Sequence, residues 1–318
     1  MEEKARVASM SVISNAFLTV GKVTIGFTSG SVSILSEGIH SGIDLFAALI
    51  AFFAVRESGK PADDRHAYGH GKIENVSGTV EALLIFVAAT WIMVEAIHKI
   101  TNGVQVESVG WGLVIMGISA VLNLIVSTML MRVAKKTDSV ALEADSMHLR
   151  TDVYTSAGVF VGLILIQVTG WSIFDPVVAI VVALLIIKTA VNLTREAFMP
   201  LVDTSLPAAE TEIITSIINK HEHEFVEFHK LRTRKAGAER HIDLHLVVPK
   251  DNSVAQVHDL CNRIEREIKE ELHEAHVLIH SEPCTDRQTS CAQCEGMKRK
   301  CDGTYGCEDP VHRSSRNN

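Results

Sequence analysis

Six apolar runs, each long enough to cross a bilayer, fill the N-terminal part of the chain. They lie at about 8–28, 32–55, 76–98, 109–131, 146–168 and 173–195, and roughly 20 apolar residues are enough to span the hydrocarbon core. In lipid every backbone N–H and C=O must be satisfied inside the segment, so such runs fold as helices. The first run lacks a small-residue cleavage site and further runs follow it, which argues against a cleaved signal peptide. From residue 203 onward the chain is polar, and it holds all six Cys and most of the 15 His. This shift in composition predicts a six-helix transmembrane domain at 1–203, a soluble domain at 204–283 and a Cys-rich tail at 284–318.

Basic residues in the short loops set the expected orientation. Lys4 and Arg6 precede the first run. Arg56, Lys60, Arg65 and Lys72 lie between the second and third, and Arg132, Lys135 and Lys136 between the fourth and fifth. Arg195 closes the sixth, whereas the opposite loops offer only Lys99. The positive-inside rule then places both termini in the cytoplasm. The net charge is −8 and no basic stripe is interleaved with aromatics, which sets nucleic acid aside as a partner. There is no GxxxxGK[ST] segment to hold ATP, and HEHEF and HEAH miss the HExxH spacing of a zinc protease.

Two of the apolar runs carry ionisable residues in their interiors. The second, ILSEGIHSGIDLFAALIAFF, contains His40 and Asp44. The fifth, VALEADSMHLRTDVYTSAGVF, contains His148 and Asp152. A charged side chain at the bilayer centre costs about 3 kcal/mol on insertion scales, so each is a functional candidate. Residues at i and i+4 share one helix face, about 5–6 Å apart. Two helices can therefore bring two imidazoles and two carboxylates to one point, a set suited to a tetrahedral borderline ion, above all Zn²⁺. The bland alternative is a His bonded to the Asp one turn away. Glu37, Glu81, Glu143 and Asp145 are read as interfacial or cavity-facing. Lys22 is expected to snorkel, and Asn15 and Asn123 to bond between helices.

The loop ESGKPADDRHAYGHGKIEN crowds Asp63, Asp64, His66 and His70 among turn-forming Pro and Gly. Such a loop can hold a second metal ion or can be a solvated turn. In the soluble part, 207–222 and 253–271 have helical spacing, and strands are expected near 224–233, 239–248 and 275–280. HIDLHLVV alternates, with His241, Asp243 and His245 on one face. His221, His223, His273 and His276 are read as surface helix residues, and Cys261 as core. In the tail, Cys291, Cys294, Cys301 and Cys307 follow an irregular spacing around one CxxC pair. In a reducing compartment these thiols form a metal site or a reactive, unstructured tail rather than disulfides.

Taken together, PADDRHAYGHGKIEN and the His40/Asp44 and His148/Asp152 pairs resemble the cation diffusion facilitator family, over about residues 8–284. The resemblance implies that His40, Asp44, His148 and Asp152 form the transport site. It implies a second zinc site at Asp63, His66 and His70. The order αββαβ resembles the family's ferredoxin-like cytoplasmic domain, and EFHKLRTRKAG, LHLVVP, QVHDL and LIHSEPC carry the match. That implies zinc binding by His229, His245, His258, His280 and Glu282 at a homodimer interface. Glu282 stands where Asp is more familiar. Lys72 and Asp203 match positions that form an ion pair in a relative. His40 stands where many bacterial relatives have Asp, which implies a lean toward zinc over cadmium.

The expected fold is thus a membrane α-helical domain followed by a cytoplasmic α+β domain. The expected function is Zn²⁺ efflux by proton antiport with alternating access, from a homodimer in the lipid bilayer of a bacterial inner membrane. Zinc is both cargo and regulator in this reading, and the chain is not an enzyme. The competing readings are a membrane zinc sensor that does not transport, a membrane metalloenzyme, and an exporter of Fe²⁺, Co²⁺, Cd²⁺ or Mn²⁺.

Overall fold

The structure is a computed structural model and describes residues 2–29, 32–102, 111–169, 171 and 173–284. Six long helices come first: α1 (Glu2–Ser29), α2 (Val32–Ser58), α3 (Lys72–Asn102), α4 (Trp111–Thr137), α5 (Val140–Thr169) and α6 (Phe174–Phe198). Then follow α7 (Ala208–Lys220), β1 (Glu227–Ala236), β2 (Glu239–Val248), α8 (Val254–Glu271) and β3 (Ala275–Pro283). Two compact units result. One is Met1–Ser205 with Arg234–Glu239, and the other is Leu206–Thr233 with Arg240–Asn318.

In the first unit, α5 is the central element. Its Ala141, Leu142 and Leu149 pack with Val7 and Ala8 of α1, Ala54 and Val55 of α2, and Val126 and Leu130 of α4. Its Ala144 packs instead with Ala82 and Ile85 of α3 and with Ile186 and Ala190 of α6. The alanines let helix backbones approach closely, as membrane bundles require where solvent gives no drive to associate. Large apolar side chains such as Phe17, Trp91 and Leu185 point outward, where lipid tails accept them. Among the described residues, five helices are long and apolar enough to span a membrane. Helix α5 carries Glu143, Asp145, Arg150 and Asp152 in its N-terminal half and an apolar run beyond them. The charged half is the buried one: Ala141, Leu142, Ala144, Asp145, His148 and Leu149 are enclosed, whereas Val161, Ile164 and Val168 are exposed.

In the second unit, the sheet order is β1-β2-β3, with β2 and β3 parallel and α8 as their crossover. One face carries the core. Ile242, Leu244, Leu246 and Val248 of β2 meet Ile214, Ile217 and Ile218 of α7 and Leu260, Ile264 and Ile268 of α8. The period of two in HIDLHLVV therefore leaves His241, Asp243 and His245 on the uncovered face. Helix α8 starts at a capping box, in which Ser253 and Gln256 satisfy each other's backbone N–H groups. Cys261 is buried in this core, as expected.

Strand β1 does not alternate strictly. Phe228 and Leu231, three residues apart, both pack on the core. Lys230 between them has φ +52°. A residue in that region inserts an extra position, as in a β-bulge. The consequence is that Leu231 faces inward like Phe228, while His229, next to Phe228, lies on the outer face with His245.

Candidate metal centres

The first centre lies between α2 and α5. Ligand atoms of His40, Asp44 and Asp152 lie within 4.8 Å of one another. His40 Nε2 is 4.0 Å from Asp44 Oδ1 and 3.8 Å from Asp152 Oδ1. His148 Nε2 reaches Asp44 Oδ1 at 3.2 Å. Zinc–ligand bonds of about 2.0–2.2 Å at tetrahedral angles separate the ligand atoms by about 3.3 Å. His40 thus stands less than an ångström beyond that spacing from both Asp44 and Asp152. Three come as a group, whereas His148 is tied to Asp44 alone. Asn123 of α4 donates from Nδ2 to Asp152 Oδ2 at 3.2 Å, which leaves Oδ1 turned toward His40. His40 is half exposed, Asp44 and His148 are buried, and an ion would enter past His40.

The second centre is the loop after α2. His66 Nδ1 lies 3.3 Å from Asp63 Oδ1, and His70 Nε2 lies 3.4 Å from Asp63 Oδ2. One carboxylate thus faces two imidazoles. Asp63 Oδ1 also accepts the backbone N–H groups of Arg65 at 2.9 Å and His66 at 2.7 Å. The His66 N–H, with that of Arg65 behind it, holds the Asp63 carboxyl below its ordinary value. Gly69 has φ +78°, which turns the chain so that His70 folds back over Asp63. Asp64 is exposed and stands outside the group.

The third centre is on the outer face of the sheet in the second unit. Glu282 Oε1 is 2.7 Å from His245 Nδ1, and Glu282 Oε2 is 3.4 Å from His229 Nε2. His280 Nε2 stands 3.8 Å from Oε1. The longer arm of Glu, compared with Asp, lets one carboxylate reach both strands. The His245 contact holds the Glu282 carboxyl below its usual range. His258 is not part of this cluster. It is exposed on α8, with Nε2 3.0 Å from Asn262 Nδ2.

Other residues singled out from the sequence fall differently from expectation. Lys22 does not snorkel: it is buried and donates to Ser41 Oγ at 2.8 Å. Glu81 on α3 and Asp145 on α5, expected to be interfacial or cavity-facing, are fully buried inside the bundle. Asn15 bonds to Ser11 one turn back on its own helix, while Asn123 does bond between helices. His276 is on β3, not a helix, and His221 caps α7, bonded to Glu267 Oε1 at 2.9 Å. Lys72 Nζ is 2.9 Å from Asp203 Oδ1. Lys72, with Arg234 beside it, holds the Asp203 carboxyl below its ordinary value. Cys291, Cys294, Cys301 and Cys307 lie outside the described residues.

Comparison with known proteins agrees with this layout. Residues 8–202 match the family model described as the cation efflux transmembrane domain, and residues 206–284 match that of the cation efflux protein, cytoplasmic domain. An uncharacterized transporter of Synechocystis sp., sll1263, is 38% identical over 283 residues, which covers 89% of this chain and 91% of that protein. The cation-efflux pump FieF of Citrobacter koseri is 30% identical over 281 residues, covering 88% and 93%. FieF of Salmonella newport is 29% identical over 282 residues, covering 89% and 93%.

Proposed function

Because the chain belongs to the cation efflux, or cation diffusion facilitator, family, we propose that it exports Zn²⁺ in exchange for protons. Its relatives are cation efflux transporters, not enzymes, and the chain is an integral membrane protein of that kind. The observation that carries the zinc reading is the convergence of His40, Asp44 and Asp152, with His148 on Asp44, from two helices onto one point. Two imidazoles and two carboxylates favour a borderline ion over a hard one, which would ask for oxygen alone. The two carboxylates neutralise the ion's charge, so neither the loaded nor the doubly protonated site leaves a bare charge in the bilayer.

The cycle follows from what the ligands require. Imidazole and carboxylate bind metal only when deprotonated, so loading releases protons and protonation releases metal. The site first opens to the cytoplasm and takes up the ion past His40. It then opens to the far side, where a higher proton activity reprotonates the ligands and the ion leaves. Asn123 orients Asp152 for loading through its hydrogen bond to Oδ2. The loop group of Asp63, His66 and His70, and the His229, His245 and Glu282 cluster, are the places where cytoplasmic zinc would bias the cycle. The second matched domain supports a homodimer in which that cluster lies near the partner. His280 joins it in this reading, and His258 stands apart from it on α8.

The test is metal-panel transport. Reconstituted vesicles loaded with a metal indicator receive Zn²⁺, Cd²⁺, Fe²⁺, Co²⁺ or Mn²⁺ in turn, with Asp152→Ala beside the wild type. Zinc uptake that exceeds the others and disappears in the variant supports the reading. Uptake led by Fe²⁺ or Mn²⁺ would replace zinc as cargo, and zinc binding with no uptake of any metal would make the chain a sensor.

A further inference from the structure

The register of β2 and β3 repeats a pattern. His241 lies opposite His276, and His245 lies opposite His280, four residues further along both strands. Period two puts all four imidazoles on the outer face, opposite Ile242, Leu244 and Leu246, which enter the core. At about 3.3 Å per residue the two pairs are roughly 13 Å apart, too far to share an ion. The His245/His280 pair belongs to the Glu282 cluster. The His241/His276 pair has no part in the three centres above.

We propose that His241 and His276 form a separate binding site for a borderline divalent cation such as Zn²⁺ or Cu²⁺. Their ring centroids are 5.1 Å apart, with planes 15° from parallel. Two imidazoles on one tetrahedral zinc, each bonded at about 2.0–2.1 Å, place their centroids about 5.2 Å apart. The rings thus stand at the separation a shared ion imposes, and turning the stacked planes about their side-chain torsions would aim one nitrogen of each at it. The His245/His280 pair, with 4.8 Å between centroids, has nearly the same spacing. Both imidazoles project from adjacent, hydrogen-bonded strands, so little side-chain freedom is lost when an ion joins them. Nitrogen ligands select the borderline ions over Mg²⁺ or Ca²⁺. His276 is exposed and His241 partly so, and water can complete the coordination shell. With two protein ligands, the site should fill after the Glu282 cluster. It rests on the sheet alone and stands whether or not the chain transports metal.

The full chain in detergent, with thiols alkylated, is titrated with Zn²⁺ against a chromophoric chelator. His241→Asn, His276→Asn and the double variant should each lose the same single zinc equivalent per chain, while Asp152→Ala keeps that equivalent. Unchanged stoichiometry in the single variants, or a double variant that loses twice what each single loses, overturns the proposal. The wild-type chain gives a second readout that needs no variant. Zinc should protect His241 and His276 from diethyl pyrocarbonate, scored by mass spectrometry, at higher zinc than is needed to protect His245. Modification of both at an undiminished rate under saturating zinc overturns the proposal as well.

Discussion

Asn123 is the residue through which the transport constellation can be tested without touching a ligand. It is buried on α4 at 5% exposure, and its Nδ2 donates to Asp152 Oδ2 at 3.2 Å. With that oxygen occupied, Asp152 presents Oδ1 to His40. Asn123→Ala frees the carboxylate to rotate and leaves an unfilled volume beside it. Loss of a hydrogen bond that orients a metal ligand typically lowers metal affinity by about 10–100-fold, or about 1.4–2.7 kcal/mol. The zinc concentration for half-maximal uptake into vesicles should rise by that factor. Asn123→Leu fills the volume without restoring the donor, so it should behave like alanine if orientation is the cause. If both variants stay within twofold of wild type while Asp152→Ala is inactive, Asn123 does not position the site and the reasoning fails.

Other consequences follow from packing and charge. Leu244 is fully buried in the sheet core, so Leu244→Ala should destabilise the second unit by about 2–5 kcal/mol. All three Trp lie in the first unit, so hydrogen exchange at β2, not fluorescence, will report that loss. A Cβ on Gly38 would come within 2.8 Å of Val23 Cγ2 and 3.1 Å of the Val23 backbone nitrogen. Gly38→Ala should therefore push α2 from α1, shift His40 one half-turn on, and slow zinc uptake in a protein that still elutes as a single species. Asp203 has its carboxyl held low by Lys72 and then Arg234. A depressed acid contributes stability above its unfolded value, ordinarily near about 3.9, and loses it as pH falls through the folded value. The acid side of the wild-type melting curve should flatten in Lys72→Ala, and an identical pH profile in the two proteins would count against the pair.

The helices and strands were legible because their periods are strong. Six apolar runs became six helices, and HIDLHLVV became β2 with the expected face inward. The His-x-x-x-Asp pairs were legible because one helical turn fixes which residues share a face. What was not legible depends on neighbours from elsewhere in the chain. Glu81 and Asp145 read as interfacial or cavity-facing because a carboxylate in a span is costly, yet both are fully buried. Lys22 read as snorkelling because nothing local shows Ser41 on α2 within reach. His276 read as a surface helix residue although it falls within the strand expected at 275–280, and it lies on β3, after α8 stops at Glu271 and the chain turns at Glu274, with φ +55°. The inward turn of Leu231 goes with the left-handed backbone at Lys230, φ +52°, which a period of two does not announce.

The central claim is that His40, Asp44, His148 and Asp152 exchange a zinc ion for protons. Proteoliposomes holding a zinc indicator, with a pH gradient imposed across the membrane, test it most directly, wild type beside Asp152→Ala. The account predicts zinc uptake that grows with the gradient, reverses when the gradient is reversed, and vanishes in the variant. Uptake indifferent to the gradient, or undiminished in Asp152→Ala, would contradict it.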